Sequence, residues 1–103
     1  MSRKRNTDAR GGSFDLETRK NVWQKADSIR GKSPDDYRKD TCGAQIKWSQ
    51  YGHTDSGQGW EIDHIKPVAK GGEDALSNLQ ALQWQNNRHK GDDYPKWDCK
   101  VTA

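Results

Sequence analysis

From Asp15 onward the apolar residues recur with a helical period: Leu16, Val22, Trp23, Ala26 and Ile29 fall largely on one face, and Gly31 supplies a stop. The pattern predicts a helix over residues 15–30. Ser33-Pro34-Asp35-Asp36 joins a cap, a proline suited to a first helical position and first-turn acids, which predicts a short helix over 34–38. The period then changes. Ile46, Trp48 and Ser49 alternate loosely within residues 44–51 and predict a strand, followed by a turn-rich run from Gly52 to Gly59. A second strand is predicted over residues 60–64, where Trp60, Ile62 and His64 alternate with Glu61 and Asp63. Neighbours on a regular strand face opposite sides, so Asp63 and His64 are expected to reach one site through a bend or bulge near Ile65-Lys66-Pro67. After a loop to Ser77, residues 79–82 read as a short strand and 84–90 as a helix ending at Gly91. The resulting unit is strand, long loop, strand, helix, and the expected fold class is α+β.

Composition narrows what this pattern can build. A chain of 103 residues reads as one domain, near the size at which buried surface only just offsets chain entropy. Leu, Ile, Val and Phe number only 12 of 103, a level usually associated with disorder, yet five tryptophans and three tyrosines bring large buried area per residue. The expectation is a small aromatic core. No apolar run approaches the roughly 20 residues of a membrane span, and no apolar segment follows Met-Ser-Arg-Lys-Arg, so the expected compartment is the cytoplasm, with no membrane partner.

The net charge of +3 is uneven. Residues 1–12 carry Arg3, Lys4, Arg5 and Arg10 against Asp8, while residues 13–103 hold 14 basic and 14 acidic side chains. Diffuse attraction to phosphate therefore comes mainly from the first dozen residues, and phosphate contacts in the body must be placed ones. Ending in Gly11-Gly12, residues 1–12 are expected to be a disordered basic tail ahead of a domain over 13–103, with a dedicated DNA-binding arm as the alternative reading of the same residues. Cys42 and Cys99, 57 residues apart, match no zinc spacing and are read as reduced packing residues. Tyr94-Pro95-Lys96-Trp97 is expected to fold back over the core.

Asp63-His64 is the candidate for chemistry. Hydrolysing a phosphodiester needs a base to activate water and positive charge to stabilise the transition state and the departing oxygen. An imidazole, which titrates near neutrality, can supply the base. Asp63 offers a hard anionic oxygen and Asn87 a neutral amide oxygen, a set suited to Mg²⁺ or Mn²⁺ with several waters retained.

Glu61-Ile-Asp-His-Ile-Lys-Pro67, Gly71-Gly72, Ser77-Asn-Leu-Gln-Ala-Leu82 and Asn86-Asn-Arg-His-Lys-Gly91 together closely resemble the HNH endonucleases of the ββα-metal fold, over residues 60–91. The resemblance implies a ββα-metal core preceded by the N-terminal helix. It implies Asp63 as first metal ligand, His64 as general base, Asn78 as the asparagine that ties the loop and so orients the histidine, and Asn87 as second ligand. Lys66, Arg88 and Lys90 are implied as nucleic-acid contacts. His89, two residues past Asn87, points about 200° away around a helix and is read as a phosphate contact or surface residue rather than a ligand.

The resemblance is incomplete in one respect. Many relatives carry two Cys-x-x-Cys zinc knuckles, whereas this chain has Cys42-Gly-Ala-Gln45 and Gln83-Trp-Gln-Asn86. No structural zinc is expected, and Trp84, Trp48 and the N-terminal helix are expected to supply by packing what the metal supplies elsewhere. The implied activity is divalent-metal-dependent hydrolysis of DNA, one strand nicked per site, leaving 3′-hydroxyl and 5′-phosphate ends. RNA stays open as a substrate. A nuclease toxin domain with an immunity partner and a non-catalytic DNA-binding module of the same fold are the alternatives.

Overall fold

A computed structural model describes residues 4–103 of the protein. Helix α1 (Leu16–Trp23) starts where its cap predicts, the Asp15 carboxylate accepting from the Thr18 backbone N–H at 2.8 Å. It ends early. Trp23 is buried with its indole N–H donating to the Pro34 carbonyl at 2.8 Å, and the chain leaves the helix to form β1 (Asp27–Ser28) instead of continuing to residue 30. The expected helix over 34–38 is also replaced. Ser33 and Pro34 make a turn, with Asp36 and Tyr37 N–H both donating to the Ser33 carbonyl, and β2 (Tyr37–Lys39) follows. A single helical turn has too few bonds to hold itself. As the central strand, β2 pairs antiparallel on both sides, with β1 and with β3 (Gln45–Lys47), and Arg38 binds the carbonyls of Gln24, Ala26 and Pro34.

Beyond β3 the chain turns through a 3-10 segment, Trp48–Gln50, where a strand to residue 51 was expected. The turn carries Trp48 into the aromatic cluster. Trp60 is fully buried there, its ring centroid 5.1 Å from Trp23, 5.7 Å from Trp48 and 4.8 Å from Tyr51. Val22, Ile46, Ile62 and Leu79 complete a core that is small and aromatic, as the composition implied.

Strands β4 (Trp60–His64) and β5 (Leu79–Gln83) form an antiparallel ribbon in unbroken register from Trp60↔Gln83 to His64↔Leu79. Helix α2 (Trp84–Lys90) follows β5 at once, and the Gln83 side chain caps it by accepting from the N–H groups of Gln85 and Asn86. These three elements lie where the pattern put them. Of the bend or bulge expected after His64, the bend is present, at Ile65 and Lys66, while the pairing carries on without a bulge, Ile65 N–H donating to the Asn78 carbonyl at 2.8 Å.

The two ends of the chain are tied to the body by specific bonds. Residues 1–3 of the expected tail lie outside the described residues, but residues 4–12 make specific bonds. The Asn6 side-chain oxygen accepts from Ile62 N–H at 2.7 Å and from the Tyr51 hydroxyl at 2.9 Å, so this part of the tail is anchored to β4. At the other end, Cys42 and Cys99 form a disulfide, which corrects the reading of both as reduced thiols. A bond across 57 residues leaves no trace in local spacing. It is also a bond more at home in an oxidising compartment than in the cytosol. The end of the chain is tied to α2, with Lys100 and Val101 N–H donating to the Asn86 side-chain oxygen at 2.8 and 2.7 Å, but Tyr94, Pro95 and Lys96, expected over the core, are exposed and only Trp97 is half-buried.

The disulfide borders a buried polar hub. One oxygen of Asp40 accepts from Cys42 and Ala44 N–H, both at 2.9 Å, and the other from Gln83 N–H at 2.9 Å and the Asn86 side-chain amide at 3.0 Å. Cys42, Gln83 and Asn86 stand at the positions aligned with the knuckle cysteines. The packing expected from Trp48 and α1 exists in the core, but the knuckle corner itself is held by Asp40, the asparagine and the disulfide.

Candidate active site

The C-terminal end of β4 opens on a cavity of about 410 Å³ lined by Lys4, Arg5, Asn6, Asp63, His64 and Asn87, among others. Asp63 and His64 both line it, together with Pro67, Val68 and Ala69 just past the bend at Ile65 and Lys66. Asp63 faces α2 and His64 faces the loop that follows the strand.

His64 is 3% exposed, its ring centroid 6.0 Å from that of Phe14. Its Nε2 lies 2.7 Å from a carboxylate oxygen of Asp74, in the loop before β5. A neutral imidazole that donates from Nε2 to a carboxylate leaves Nδ1 as the unprotonated nitrogen. The same Asp74 carboxylate accepts from Ala9 N–H at 3.0 and 3.2 Å, so the N-terminal segment and the His64 partner are joined.

Asp63 is buried between β5 and α2. Gln80, its cross-strand partner, donates to Oδ2 at 2.9 Å, and the Lys90 ammonium sits 3.3 Å from both carboxylate oxygens while also donating to the His64 carbonyl at 3.1 Å. Burial pushes the Asp63 carboxyl above the usual range, and the bonds from Gln80 and Lys90 pull against that shift. Lys90 is 1% exposed. Read from sequence as a phosphate contact, it points inward and spends its charge on Asp63.

Asn78 staples the loop between β4 and β5. Its side-chain oxygen accepts from Lys66 N–H at 2.8 Å, and its amide donates to the carbonyls of Lys66 and Glu73 at 3.1 and 2.8 Å. Gly72 is needed for this closure, since a Cβ there would lie 1.7 Å from the Lys66 carbonyl oxygen. Gly71 beside it takes φ 91°, a left-handed conformation natural to glycine. The staple holds the two ends of the loop that carries Asp74.

Asn87 donates from its side-chain amide to Glu61 at 2.9 Å, which turns its Oδ1 away from Glu61; among the described residues no donor meets that oxygen. Arg88 is exposed, 3.8 Å from Glu61 and stacked 5.4 Å over Trp84. Lys66 and His89 are exposed. The structure thus brings Asp63, His64 and Asn87 to one cavity and leaves Lys66, Arg88, His89 and Lys90 outside its lining. The sequence reading missed Asp74, Glu61 and Gln80. Gln80 was accessible from hairpin register alone, as the residue opposite Asp63; nothing in local spacing marked Asp74.

The profile of the HNH endonuclease family matches residues 40–93, more than half of the chain. The protein belongs to the HNH endonuclease family. The HNH match takes in β3, β4, β5 and α2 and reaches back to Asp40, so the knuckle corner lies within it despite its missing thiols. Comparison with curated proteins and with solved structures returned no match. Membership of this family points to nuclease activity in general, and divalent-metal use is typical of the family.

The residues present fit such a metal at the cavity. Asp63 and the Asn87 oxygen are hard donors, and two protein oxygens with waters suit Mg²⁺ better than a closed zinc cage. Among the described residues no group of three His, Cys, Asp or Glu side chains is arranged to hold an ion. No helix there is long and apolar enough to cross a membrane.

Proposed function

We propose that the protein is a divalent-metal-dependent endonuclease that hydrolyses DNA, nicking one strand per engagement. The observation that supports this reading best is the convergence of Asp63, His64 and Asn87 on one cavity, with the His64 ring fixed by Asp74. His64 accepts a proton from water at Nδ1 while Nε2–H stays on the carboxylate, the tautomer logic of a positioned general base. Asn78 keeps the loop closed and so keeps Asp74 opposite His64. A divalent ion, held by Asp63 Oδ and Asn87 Oδ1, would supply Lewis-acid stabilisation of charge on the phosphate and the departing oxygen. Mg²⁺ is the proposed ion and Mn²⁺ the substitute. The exposed Arg88, Lys66 and His89 serve the flanking backbone.

A second reading draws on the Lys90–Asp63 pair. A ligand carboxylate already neutralised by a buried ammonium suits a DNA-binding module that has lost turnover. Incubating the protein with supercoiled plasmid and Mg²⁺ separates the two. Nicking that EDTA and His64→Ala both abolish supports the nuclease; binding without nicking under any divalent ion supports the module. A single-stranded RNA arm of the same assay decides the substrate class.

A further inference from the structure

A cavity that receives a phosphodiester needs cations, and the body of this chain has few to give there. Lys90 is committed to Asp63, and Arg88 lies outside the lining near Glu61. Among the described residues, the lysine and the arginine that line the cavity, Lys4 and Arg5, both come from the N-terminal segment. That segment is placed, not loose. Asn6 accepts from β4 and from Tyr51 while adopting φ 58°, a left-handed conformation that asparagine tolerates better than most residues. Three residues on, Ala9 is bonded to the carboxylate that holds His64. Asp8 closes the segment by accepting from Arg10 and Gly12 N–H.

We propose that residues 4–9 form a fixed arm along the active-site cavity, with Lys4 and Arg5 gripping a backbone phosphate of the nucleic acid next to the one that is cut. The proposal rests on the nuclease reading for what enters the cavity, but its own content is a phosphate subsite. The two anchors carry the argument: Asn6 sets the arm's height over β4, and Ala9 ties its far end to the His64–Asp74 pair. Charge distribution agrees, because the first twelve residues hold the whole net charge of +3. A tail acting only by diffuse attraction would need neither anchor.

The test is binding of a fluorescently labelled DNA duplex to the full chain in EDTA, where nothing is cut, followed by anisotropy across a salt series. The double variant Lys4→Ala/Arg5→Ala is expected to bind several-fold more weakly, with the slope of log K against log salt reduced by roughly one to two. Arg10→Ala removes an exposed charge that does not line the cavity and is expected to leave affinity within about twofold. Asn6→Gly keeps every charge and the backbone conformation but deletes the pin; it is expected to weaken binding without removing a cation. Thermal melts matching the wild type show that the Lys4/Arg5 variant is folded. Wild-type affinity in the double variant overturns the proposal. So does an equal loss per charge for Arg10→Ala, which would mean a diffuse tail. The nuclease reading fails separately: DNA binding that depends on Lys4 and Arg5, in a protein whose nicking is unaffected by His64→Ala, keeps the arm and removes the mechanism.

Discussion

Asn86 and Asn87 are neighbours in α2, about 100° apart around the helix, and they serve opposite sides of the molecule. Asn86 is fully buried and saturated: its amide donates to Asp40 and the Val101 carbonyl, and its oxygen accepts from Lys100 and Val101. Asn87 spends only its amide, on Glu61, and lines the cavity with an oxygen that no described donor meets. The contrast separates what holds α2 from what α2 is held for. On the back side every polar group has a partner, and the loss of one leaves others stranded. On the front side an acceptor is left for something from solution. Relatives with zinc knuckles pin the same corner by thiolates; here a carboxylate hub and a disulfide to the C-terminal segment pin it with ordinary bonds.

Breaking each side in turn should give opposite signatures. His64→Ala is expected to lower nicking by roughly 10²- to 10⁴-fold, the usual size of a general-base contribution. Asp40→Ala strands buried donors on Ala44, Gln83 and Asn86 and a half-buried one on Cys42, the buried ones each worth about 1–3 kcal/mol when unsatisfied, so a net loss of about 3–5 kcal/mol of stability is expected after relaxation. Urea unfolding and nicking by the fraction still folded measure both. Should Asp40→Ala melt like the wild type yet fail to nick, the division into a holding side and a working side is wrong.

Next in size is the disulfide. Cys42→Ser/Cys99→Ser opens a loop of 57 residues, and removing such a link costs about 2–4 kcal/mol through the unfolded chain. Nicking at low temperature is expected to survive, since neither cysteine approaches the cavity. Reduction of the wild type by dithiothreitol should reproduce the shift in unfolding midpoint, and in the double-serine variant it should do nothing.

The working side was far more legible from sequence than the holding side, for a physical reason. β4, β5 and α2 announce themselves by local period and caps, and the proposed site residues Asp63, His64, Asn78 and Asn87 are picked out by the resemblance to HNH endonucleases because the motif that carries them is nearly continuous. Asp40 bonds to Gln83 and Asn86, 43 and 46 residues away, and no window of sequence contains both ends. β1 and β2 fail similarly: Ser33-Pro34-Asp35-Asp36 satisfies the local grammar of a helix start, but pairing on two edges of β2 outweighs a single turn. Lys90 shows the limit within the motif itself. Its chemistry as a cation was legible, while its direction depended on Asp63, 27 residues earlier.

The smallest expected effect probes whether α1 belongs to either side. Asp15 caps α1 next to Phe14, whose ring lies against His64. The bond from the Thr18 side chain and then from its backbone N–H holds the Asp15 carboxyl below the usual carboxylate range. A carboxylate lowered on folding contributes stability that is present above its unfolded value, about pH 4, and is lost as pH falls through the folded value below it. Asp15→Ala should therefore lower the melting temperature slightly at neutral pH, and the gap to wild type should close in acid. Because the carboxylate is solvent-exposed, salt and water weaken the effect, so paired melts at two pH values are the measurement. Nicking per folded molecule should not change. A clear drop in nicking with a near-normal melt would mean that the cap steers Phe14 against His64, and α1 would then belong to the working side together with the N-terminal arm.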